Sequence, residues 1–241
     1  MSHSLLGKNA VVTGGTRGIG FEIARKLLQN AASVVLCGRS QEGVERAVTT
    51  LHSETQQNGG KVTGCPADIS VRNDVAALFQ FADANLDGLD ILVNNAGIGV
   101  FRNIADLDPD EWRRVLDTNL TGAFLCSREA VPRMRNRGSG FIVNISSLAG
   151  KNPFAGGTAY NSSKFALNGF SEAMMLDLRY DNIRVSSVMP GSVSTEFARG
   201  GTADWKIAPE DIADMVMAVL SMPARTLVSA VEIRPSRPLK K

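Results

Sequence analysis

The segment TAYNSSK, residues 158–164, places a tyrosine and a lysine four positions apart. Positions i and i+4 of a helix share one face, so Tyr160 and Lys164 are expected to be neighbours if this segment is helical. A free phenol has a pKa of about 10, which suits it poorly to acid–base work at neutral pH. An ammonium group beside the phenol favours the phenolate and lowers that pKa. The spacing therefore indicates acid–base chemistry, although the pattern YxxxK also recurs by chance in many chains.

A glycine-rich turn forms a second candidate site. In VVTGGTRGIGFEIA a strand pattern runs into Gly14, Gly18 and Gly20, and a helix pattern follows directly. Such glycines allow a tight bend, close approach of the backbone to a diphosphate and tight helix packing, and the helix N-terminus offers free N–H groups. The spacing is GxxxGxG rather than GxGxxG, but the strand–turn–helix context predicts a dinucleotide site.

The end of the second strand pattern bears on the choice of dinucleotide. A site for NAD places an acidic residue about twenty positions after the glycine turn, where it binds the ribose hydroxyls. Here the strand ends LCGRS, with Gly38, Arg39 and Ser40 and no acid. Arg39, together with Arg17 of the turn, would instead hold a 2′-phosphate through charge-assisted hydrogen bonds. Two ordinary surface arginines are the alternative, and we predict NADP(H) as the cofactor.

The rest of the chain supplies the elements that must position these groups. Short runs rich in β-branched residues predict strands at 9–15, 32–38, 61–68, 89–97, 140–147, 183–191 and 228–235. Helical patterns lie between them at 18–29, 40–57, 71–84, 109–136, 158–180 and 209–221. Continuous apolar runs suit parallel strands buried on both faces. The βαβ order predicts an α/β fold with one doubly wound parallel sheet of about seven strands, helices on both faces, and a single domain over residues 1–241.

Two helix ends have a specific sequence interpretation. Asn30 follows the first long helix, where asparagine tolerates the left-handed conformation that ends many helices. The basic run RMRNR at 133–137 is better explained as the solvated end of a helix than as a nucleic-acid patch.

Composition argues against several other classes of protein. The net charge is only +2, so no nucleic-acid partner is expected. Three scattered cysteines and two histidines provide neither a disulfide framework nor a zinc site, so we expect no metal. The chain has no N-terminal apolar segment of the signal type and no apolar run of about 18 residues, so we expect no membrane span and a cytoplasmic location.

Four motifs occur in a fixed order: TGGTRGIG (13–20), NNAG (94–97), NISS (144–147) and YNSSK (160–164). Through them the sequence resembles the short-chain dehydrogenase/reductase family from about residue 6 to about residue 235. The resemblance implies a one-domain Rossmann fold, an NAD(P)(H) cofactor, and hydride transfer between nicotinamide and an alcohol or carbonyl.

The resemblance also implies roles for the matching residues. Tyr160 would protonate the carbonyl oxygen, and Lys164 would hold the nicotinamide ribose. Ser147 would hydrogen-bond the substrate oxygen, with Ser146 as its structural neighbour. Asn119, in DTNLTGAF, matches an asparagine that holds a proton-relay water, and a satisfied buried amide is the alternative. The expected cofactor contacts are Gly14, Thr16, Arg17, Gly18, Ile19, Gly20, Arg39, Ser40, Asp68, Ile69, Asn95, Ala96, Gly97, Tyr160, Lys164, Pro190, Gly191, Val193 and Thr195.

The chain beyond Thr195 departs from the family pattern. A short substrate lid is expected at about 196–208 and a tail at about 236–241. The ending VSAVEIRPSRP differs from the TG…VDGG ending of acyl-carrier-type reductases and resembles that of bacterial reductases of small hydroxy acids or assorted carbonyl compounds. The candidates for an apolar substrate pocket, which lid packing would explain equally, are Leu148, Phe154, Phe197 and Trp205.

These observations predict an NADPH-dependent oxidoreductase for a ketone, 3-oxoacyl or hydroxy-acid substrate. An NAD-linked alcohol or sugar dehydrogenase is the enzyme alternative, and a cofactor-sensing binding protein on the same fold is the non-enzyme alternative. In the family the helices at 109–136 and 158–180 pair across a two-fold axis. Their broad apolar faces here predict a homodimer or homotetramer.

Overall fold

The computed structural model describes residues 5–197 and 202–238. A seven-stranded sheet is formed by β1 Asn9–Thr13, β2 Ser33–Gly38, β3 Val62–Pro66, β4 Ile91–Asn94, β5 Gly140–Ile145, β6 Ile183–Pro190 and β7 Ala230–Ile233. Every neighbouring pair is parallel, in the order β3-β2-β1-β4-β5-β6-β7. The predicted doubly wound sheet is confirmed.

The helices lie close to their predicted positions, with one interruption. They are α1 Gly18–Gln29, α2 Gln41–Thr55, α3 Arg72–Asn85, α4 Pro109–Leu116, α5 Gly122–Arg137, α6 Thr158–Leu178 and α7 Pro209–Leu220. The single helix predicted at 109–136 is divided by a π-helical turn, Asp117–Thr121, between α4 and α5. Such π turns occur often at functional sites, and this one contains Asn119.

Helices cover both faces of the sheet because the strands are apolar on both sides. Ala10 and Val12 of β1 belong to a core that includes residues of α1, α2 and α7. Val11, between them, faces the opposite side and packs in a core that includes residues of α3, α5 and α6. The alternation follows from the two-residue period of a strand, and it accounts for the continuous apolar runs in the sequence.

Sequence predicted the end of α5 correctly but not the conformation of Asn30 at the end of α1. Asn30 is not left-handed: its φ is −98°, and its Nδ2 donates to the Lys26 carbonyl at 2.8 Å. The positive φ of 66° belongs to Ala31, because the asparagine side chain satisfies a last-turn carbonyl and the chain turns one residue later. The basic run does end a helix, with Arg133 paired to Asp83 at 2.6 Å.

The fold determines where a ligand can bind. Strand order reverses between β1 and β4, which lie side by side. In open parallel sheets such a reversal leaves a crevice at the carboxyl ends of the strands. The glycine turn follows β1, and NNAG, NISS and the Pro190 turn follow β4, β5 and β6 at the same edge. None of the described helices is long and apolar enough to cross a membrane.

Candidate active site

The glycine turn is a cradle that side chains would fill. Gly14 and Gly18 have φ values of +63° and +56°, a conformation that favours glycine. A Cβ on Gly20 would lie 2.3 Å from Asn95 Nδ2 and 2.4 Å from the Gly14 carbonyl oxygen. The α1 N-terminus that follows has no side-chain cap among the described residues. Free N–H groups and a positive dipole end therefore point out of a turn in which Gly14, Gly18 and Gly20 leave room, which fits the diphosphate of a dinucleotide.

Thr13 and Asn95 hold this cradle against the end of β4. Thr13 Oγ1 accepts hydrogen bonds from the backbone N–H groups of Asn95 and Ala96, at 3.0 and 3.1 Å. In return, Asn95 Nδ2 donates to the carbonyl oxygens of Thr13 and Gly14, at 3.0 and 3.1 Å. The Asn95 side chain therefore positions the turn itself. A direct contact with the cofactor stays a prediction for Asn95, Ala96 and Gly97.

The residues after β2, where the 2′-phosphate site was predicted, are exposed to solvent. A Cβ on Gly38 would lie 2.6 Å from Thr16 Cγ2, so the missing side chain lets the glycine turn pack against the strand. Arg39 is exposed and forms no ion pair with any described residue. Ser40 caps α2 by accepting from the Gly43 N–H at 3.2 Å, which leaves its hydroxyl proton available as a donor.

Arg17 was predicted to bind the 2′-phosphate, but in the structure it is paired with Glu196. Its Nη1 lies 3.0 Å from Glu196 Oε2, and both side chains are largely exposed. An exposed ion pair contributes little stability, about 0–1 kcal/mol. Arg17 can therefore leave Glu196 for a stronger anion at small cost.

Two predicted cofactor contacts, Asp68 and Ile69, follow β3, and their side chains have different surroundings. Asp68 Oδ1 accepts from the N–H and the hydroxyl of Ser70, at 3.0 and 2.7 Å, which fixes the carboxylate beside the strand end. Ile69 is buried, and a Cβ on Gly122 would lie 2.7 Å from its Cδ1. The Ile69 side chain thus packs against the start of α5, so only its backbone is left to meet a cofactor.

Ser147 and Tyr160 come together from β5 and α6. Ser147 follows β5, accepts from the Ala149 N–H at 3.1 Å and hydrogen-bonds the Tyr160 hydroxyl. Burial raises the pKa of Tyr160, and the bond with Ser147 opposes that rise. The expectation that Lys164 lowers the pKa of Tyr160 is therefore wrong for this structure. Desolvation disfavours the phenolate more than its neighbours favour it.

Lys164 lies near the Tyr160 ring and is held by the main chain of β5. Its Nζ is 5.8 Å from the centre of the Tyr160 ring and donates to the Ile145 carbonyl at 2.9 Å. The side chain is buried, and desolvation lowers the pKa of Lys164 from 10.5 to about 8. An ammonium of this pKa gains and loses its proton close to neutral pH, which suits a proton relay.

Asn119 is a buried amide with every side-chain hydrogen bond made. Its Oδ1 accepts from the Ile98 N–H at 2.8 Å, and its Nδ2 donates to the Ile98 carbonyl and to Ser163 Oγ, both at 2.9 Å. Ser163 Oγ in turn donates to the Tyr160 backbone carbonyl at 2.8 Å. Sequence reasoning missed Ser163, although it lies inside YNSSK. A relay role for Asn119 stays a prediction, and the observed contacts are those of a positioning residue.

A second buried polar chain was also missed. Asn94 Nδ2 donates to Asn144 Oδ1 at 2.8 Å and to Ser127 Oγ at 3.0 Å, and Asn144 Nδ2 donates to Ser171 Oγ at 2.8 Å. These residues tie the ends of β4 and β5 to α5 and α6. The available signal was that an asparagine directly follows the apolar run in both strand patterns, and the two asparagines are register partners in the sheet.

The segment after β6 closes one side of the crevice. A Cβ on Gly191 would lie 3.1 Å from Leu148 Cδ1, and a Cβ on Gly18 would lie 3.4 Å from Thr195 Cγ2. Val193 forms a parallel bridge with Ile207, so this segment is held at both ends. Thr195 therefore stands beside the glycine turn, and Gly191 beside Leu148. A cofactor contact stays a prediction for Pro190, Gly191, Val193 and Thr195. Of the predicted lid, 198–201 lie outside the described residues, as do 239–241 of the predicted tail.

Aromatic rings surround Tyr160. The centroids of Phe101 and Phe197 lie 5.6 and 5.9 Å from that of Tyr160, and Phe154 lies 5.9 Å from Phe101. Sequence analysis had named Phe154 and Phe197 but not Phe101. Trp205 is half-buried beside Lys206 and forms no ring pair with the other described aromatic residues. The structure thus brings two of the four pocket candidates close to the tyrosine, and a third, Leu148, near Gly191.

Comparisons with known proteins agree with this geometry. A family model described as short chain dehydrogenase matches residues 8–205. A 3alpha-hydroxysteroid dehydrogenase of Mediterraneibacter gnavus is 37% identical over 196 residues, which cover 81% of this chain and 78% of that protein. The family-model match spans the glycine turn and the cluster of Ser147, Tyr160 and Lys164.

Solved structures share the whole fold. A metagenomic short-chain oxidoreductase in complex with NADP has a TM-score of 0.85 and 37% identity, covering 99% of this chain and 100% of that one. An alcohol dehydrogenase from the archaeon Thermococcus sibiricus, complexed with 5-hydroxy-NADP, has a TM-score of 0.88 and 25% identity, covering 97% of this chain and 99% of that one.

Proposed function

The chain belongs to the short chain dehydrogenase family, and on that premise we propose that it is an NADPH-dependent carbonyl reductase. As a family member it is an oxidoreductase of alcohols or carbonyl compounds that uses a nicotinamide cofactor. The proposal concerns the preference for NADP(H), the roles of the site residues and the kind of substrate, namely a ketone, 3-oxoacyl or hydroxy-acid compound.

The observation that carries the proposal is the cluster at the carboxyl ends of β5 and β6. A tyrosine hydroxyl bonded to Ser147 lies above a buried lysine, at the same sheet edge as the glycine cradle. A binding protein has no need of a proton donor, a second donor and a titratable lysine at one point. The intact cluster therefore favours chemistry over cofactor sensing.

The cofactor is held, in this proposal, by residues on either side of the crevice. Gly14, Gly18 and Gly20 with the α1 N-terminus would take the diphosphate, and Asp68 the adenine. Lys164 would reach the nicotinamide ribose. Bound in this way, the nicotinamide supplies the hydride in reduction and accepts it in oxidation.

Tyr160 and Ser147 act on the substrate oxygen. In reduction the carbonyl carbon takes the hydride, and the carbonyl oxygen takes the Tyr160 proton. The Tyr160 phenol, whose pKa is raised by burial, is protonated at neutral pH and so carries the proton that it must deliver. Ser147 donates to the same oxygen and stabilises the charge that develops there. Lys164 keeps its proton below pH about 8, so it would be the group that resupplies a proton to the site.

The preference for NADP(H) is supported by charge at the end of β2. Arg39 is exposed at this position, and no acid stands where a carboxylate would repel the 2′-phosphate. Losing one charge-assisted hydrogen bond weakens NADPH binding by roughly ten- to a hundredfold. Arg39→Asp adds repulsion to that loss and restores the carboxylate that binds the NADH ribose.

The test compares kcat/KM for NADPH and NADH in the wild type and in Arg39→Asp. We expect the wild type to prefer NADPH and the variant to shift toward NADH. Arg39→Ala is the matched control, because loss of stacking on adenine alone would weaken both cofactors alike. Equal use of the two cofactors by the wild type would support the NAD-linked alternative instead.

The reaction itself is tested with a panel of ketones, β-ketoesters and diketones assayed for NADPH oxidation. Reduction of several members, abolished in Tyr160→Phe, would support the proposal. An unreactive panel, with cofactor still bound, would favour a cofactor-sensing protein.

We also propose a homodimer or homotetramer. Phe124 on α5 and Phe165 on α6 are each 45% exposed, and Leu176 on α6 is 56% exposed. A second copy of the chain on these helices would cover this apolar surface.

A further inference from the structure

Access to the Tyr160 hydroxyl is bounded by aromatic rings on two different loops. Phe101, from the loop after β4, stands edge-on to the Tyr160 ring at 5.6 Å. Phe197, from the segment after β6, is tilted against the same ring at 5.9 Å. A Cβ on Gly99 would lie 2.8 Å from Phe101 Cζ and 3.3 Å from Phe197 Cε1, so a glycine makes room for both rings.

The same two rings line a small pocket. Its volume is about 240 Å³, and its other lining residues are Gly99, Val100, Arg102 and Glu111. A cavity of about 150 Å³ holds one benzene ring, whereas pockets for drug-sized ligands begin at about 300 Å³. The space is large enough for one aromatic ring beside Phe101 and Phe197.

The far side of the pocket limits the substrate further. Arg102 Nη2 lies 3.6 Å from Glu111 Oε1, and both side chains line the pocket. An apolar group that extended past one ring would remove water from this ion pair, which is unfavourable. Larger apolar bodies, such as fused ring systems, are therefore disfavoured there.

We propose that Phe101 and Phe197 make this enzyme selective for ketones that carry a single aryl ring next to the carbonyl. The carbonyl oxygen meets Tyr160 and Ser147, and the aryl ring packs edge-on or tilted against the two phenylalanines, an arrangement that aromatic rings favour. The inference rests on the proposed carbonyl reductase function and names its substrate class. It sets this chain apart from the relative named a 3alpha-hydroxysteroid dehydrogenase, because four fused rings would extend over the Arg102–Glu111 ion pair.

The experiment measures kcat/KM with NADPH for three ketones: acetophenone, 2-butanone and a 3-ketosteroid. We expect acetophenone to exceed each of the other two by at least about tenfold, the scale on which an apolar pocket discriminates. Phe197→Ala should lower kcat/KM for acetophenone by about tenfold or more and change that for 2-butanone less than about threefold. Ile104→Ala is the matched control, because Ile104 lies on the same loop as Phe101 but is 73% exposed, and it should change neither value.

Two results would overturn the inference alone. One is an equal loss for acetophenone and 2-butanone in Phe197→Ala, which would mean that the ring only supports Tyr160. The other is a wild-type kcat/KM for the steroid that matches or exceeds that for acetophenone. If neither NADPH nor NADH reduces any ketone, the proposed function itself fails and the inference fails with it.

Discussion

Lys164 offers a direct test of how burial tunes the site. It is buried with its Nζ donating to the Ile145 carbonyl, and its pKa falls from 10.5 to about 8. Between these two values the unfolded chain binds a proton at Lys164 that the folded protein does not. The free energy of unfolding must therefore rise with pH across this window, and the gain is lost progressively as pH falls from 10.5 to about 8.

The magnitude follows from the size of the pKa change. Each pKa unit corresponds to about 1.4 kcal/mol, so the full window between 8 and 10.5 is worth about 3 kcal/mol. Lys164→Met removes the titration but keeps a side chain of similar length. The substitution also leaves the Ile145 carbonyl without its donor, a cost of about 1–3 kcal/mol that does not depend on pH. The pH-dependent part of the difference in free energy of unfolding between wild type and Lys164→Met therefore reports only the cost of burying the ammonium.

The assay is urea unfolding of wild type and Lys164→Met at several pH values from about 7 to about 10.5. We expect the stability of the wild type relative to the variant to increase by most of about 3 kcal/mol over this range. Lys61→Met, at an exposed lysine, serves as the control and should show no such trend. A constant difference between wild type and Lys164→Met would refute the reasoning, because Lys164 would then bind its proton equally well in both states.

Three further predictions follow from the site and the surface. Tyr160→Phe should lower kcat by at least about 10²–10⁴-fold with NADPH binding retained, and near-normal turnover at saturating substrate would show that Tyr160 is not the acid. Gly20→Ala should weaken cofactor binding strongly, because its Cβ would lie 2.4 Å from the Gly14 carbonyl oxygen; calorimetric titration with NADPH measures this, and an unchanged Kd would contradict it. Light scattering at micromolar protein should give at least a dimer mass that Phe124→Glu with Phe165→Glu reduces, whereas a wild-type monomer would contradict the proposed assembly.

Local sequence patterns predicted the elements well because each rule concerns neighbours along the chain. The continuous β-branched runs became seven parallel strands, and the helix predicted at 18–29 is present with the same ends. The π turn at Asp117–Thr121 was not predictable in this way. Its buried Asn119 bonds Ile98 and Ser163, which come from distant parts of the chain.

For the site, too, sequence predicted some features and the folded chain decided others. The types and spacing of Tyr160 and Lys164, and the order of the four motifs, were enough to identify the family and its chemistry. They were not enough to predict the direction of the Tyr160 pKa change, since that direction depends on how much water the folded protein leaves around the phenol. Likewise, Arg17 was predicted near a phosphate, and only the folded chain shows that it also reaches Glu196, which is 179 positions away.

Sequence was thus sufficient for the sheet and the family, because these depend on short-range periodicity and on motifs within single strand–turn–helix units, whereas the roles of the site residues stay predictions. Tertiary structure alone decided which side chains hold Tyr160 and Lys164 in place and which rings pack against Tyr160. Phe101 and Phe197 meet at Tyr160 only because parallel strands bring their loops to one edge of the sheet. No sequence pattern predicts these ring contacts, since contacts between distant segments arise from packing and not from spacing along the chain.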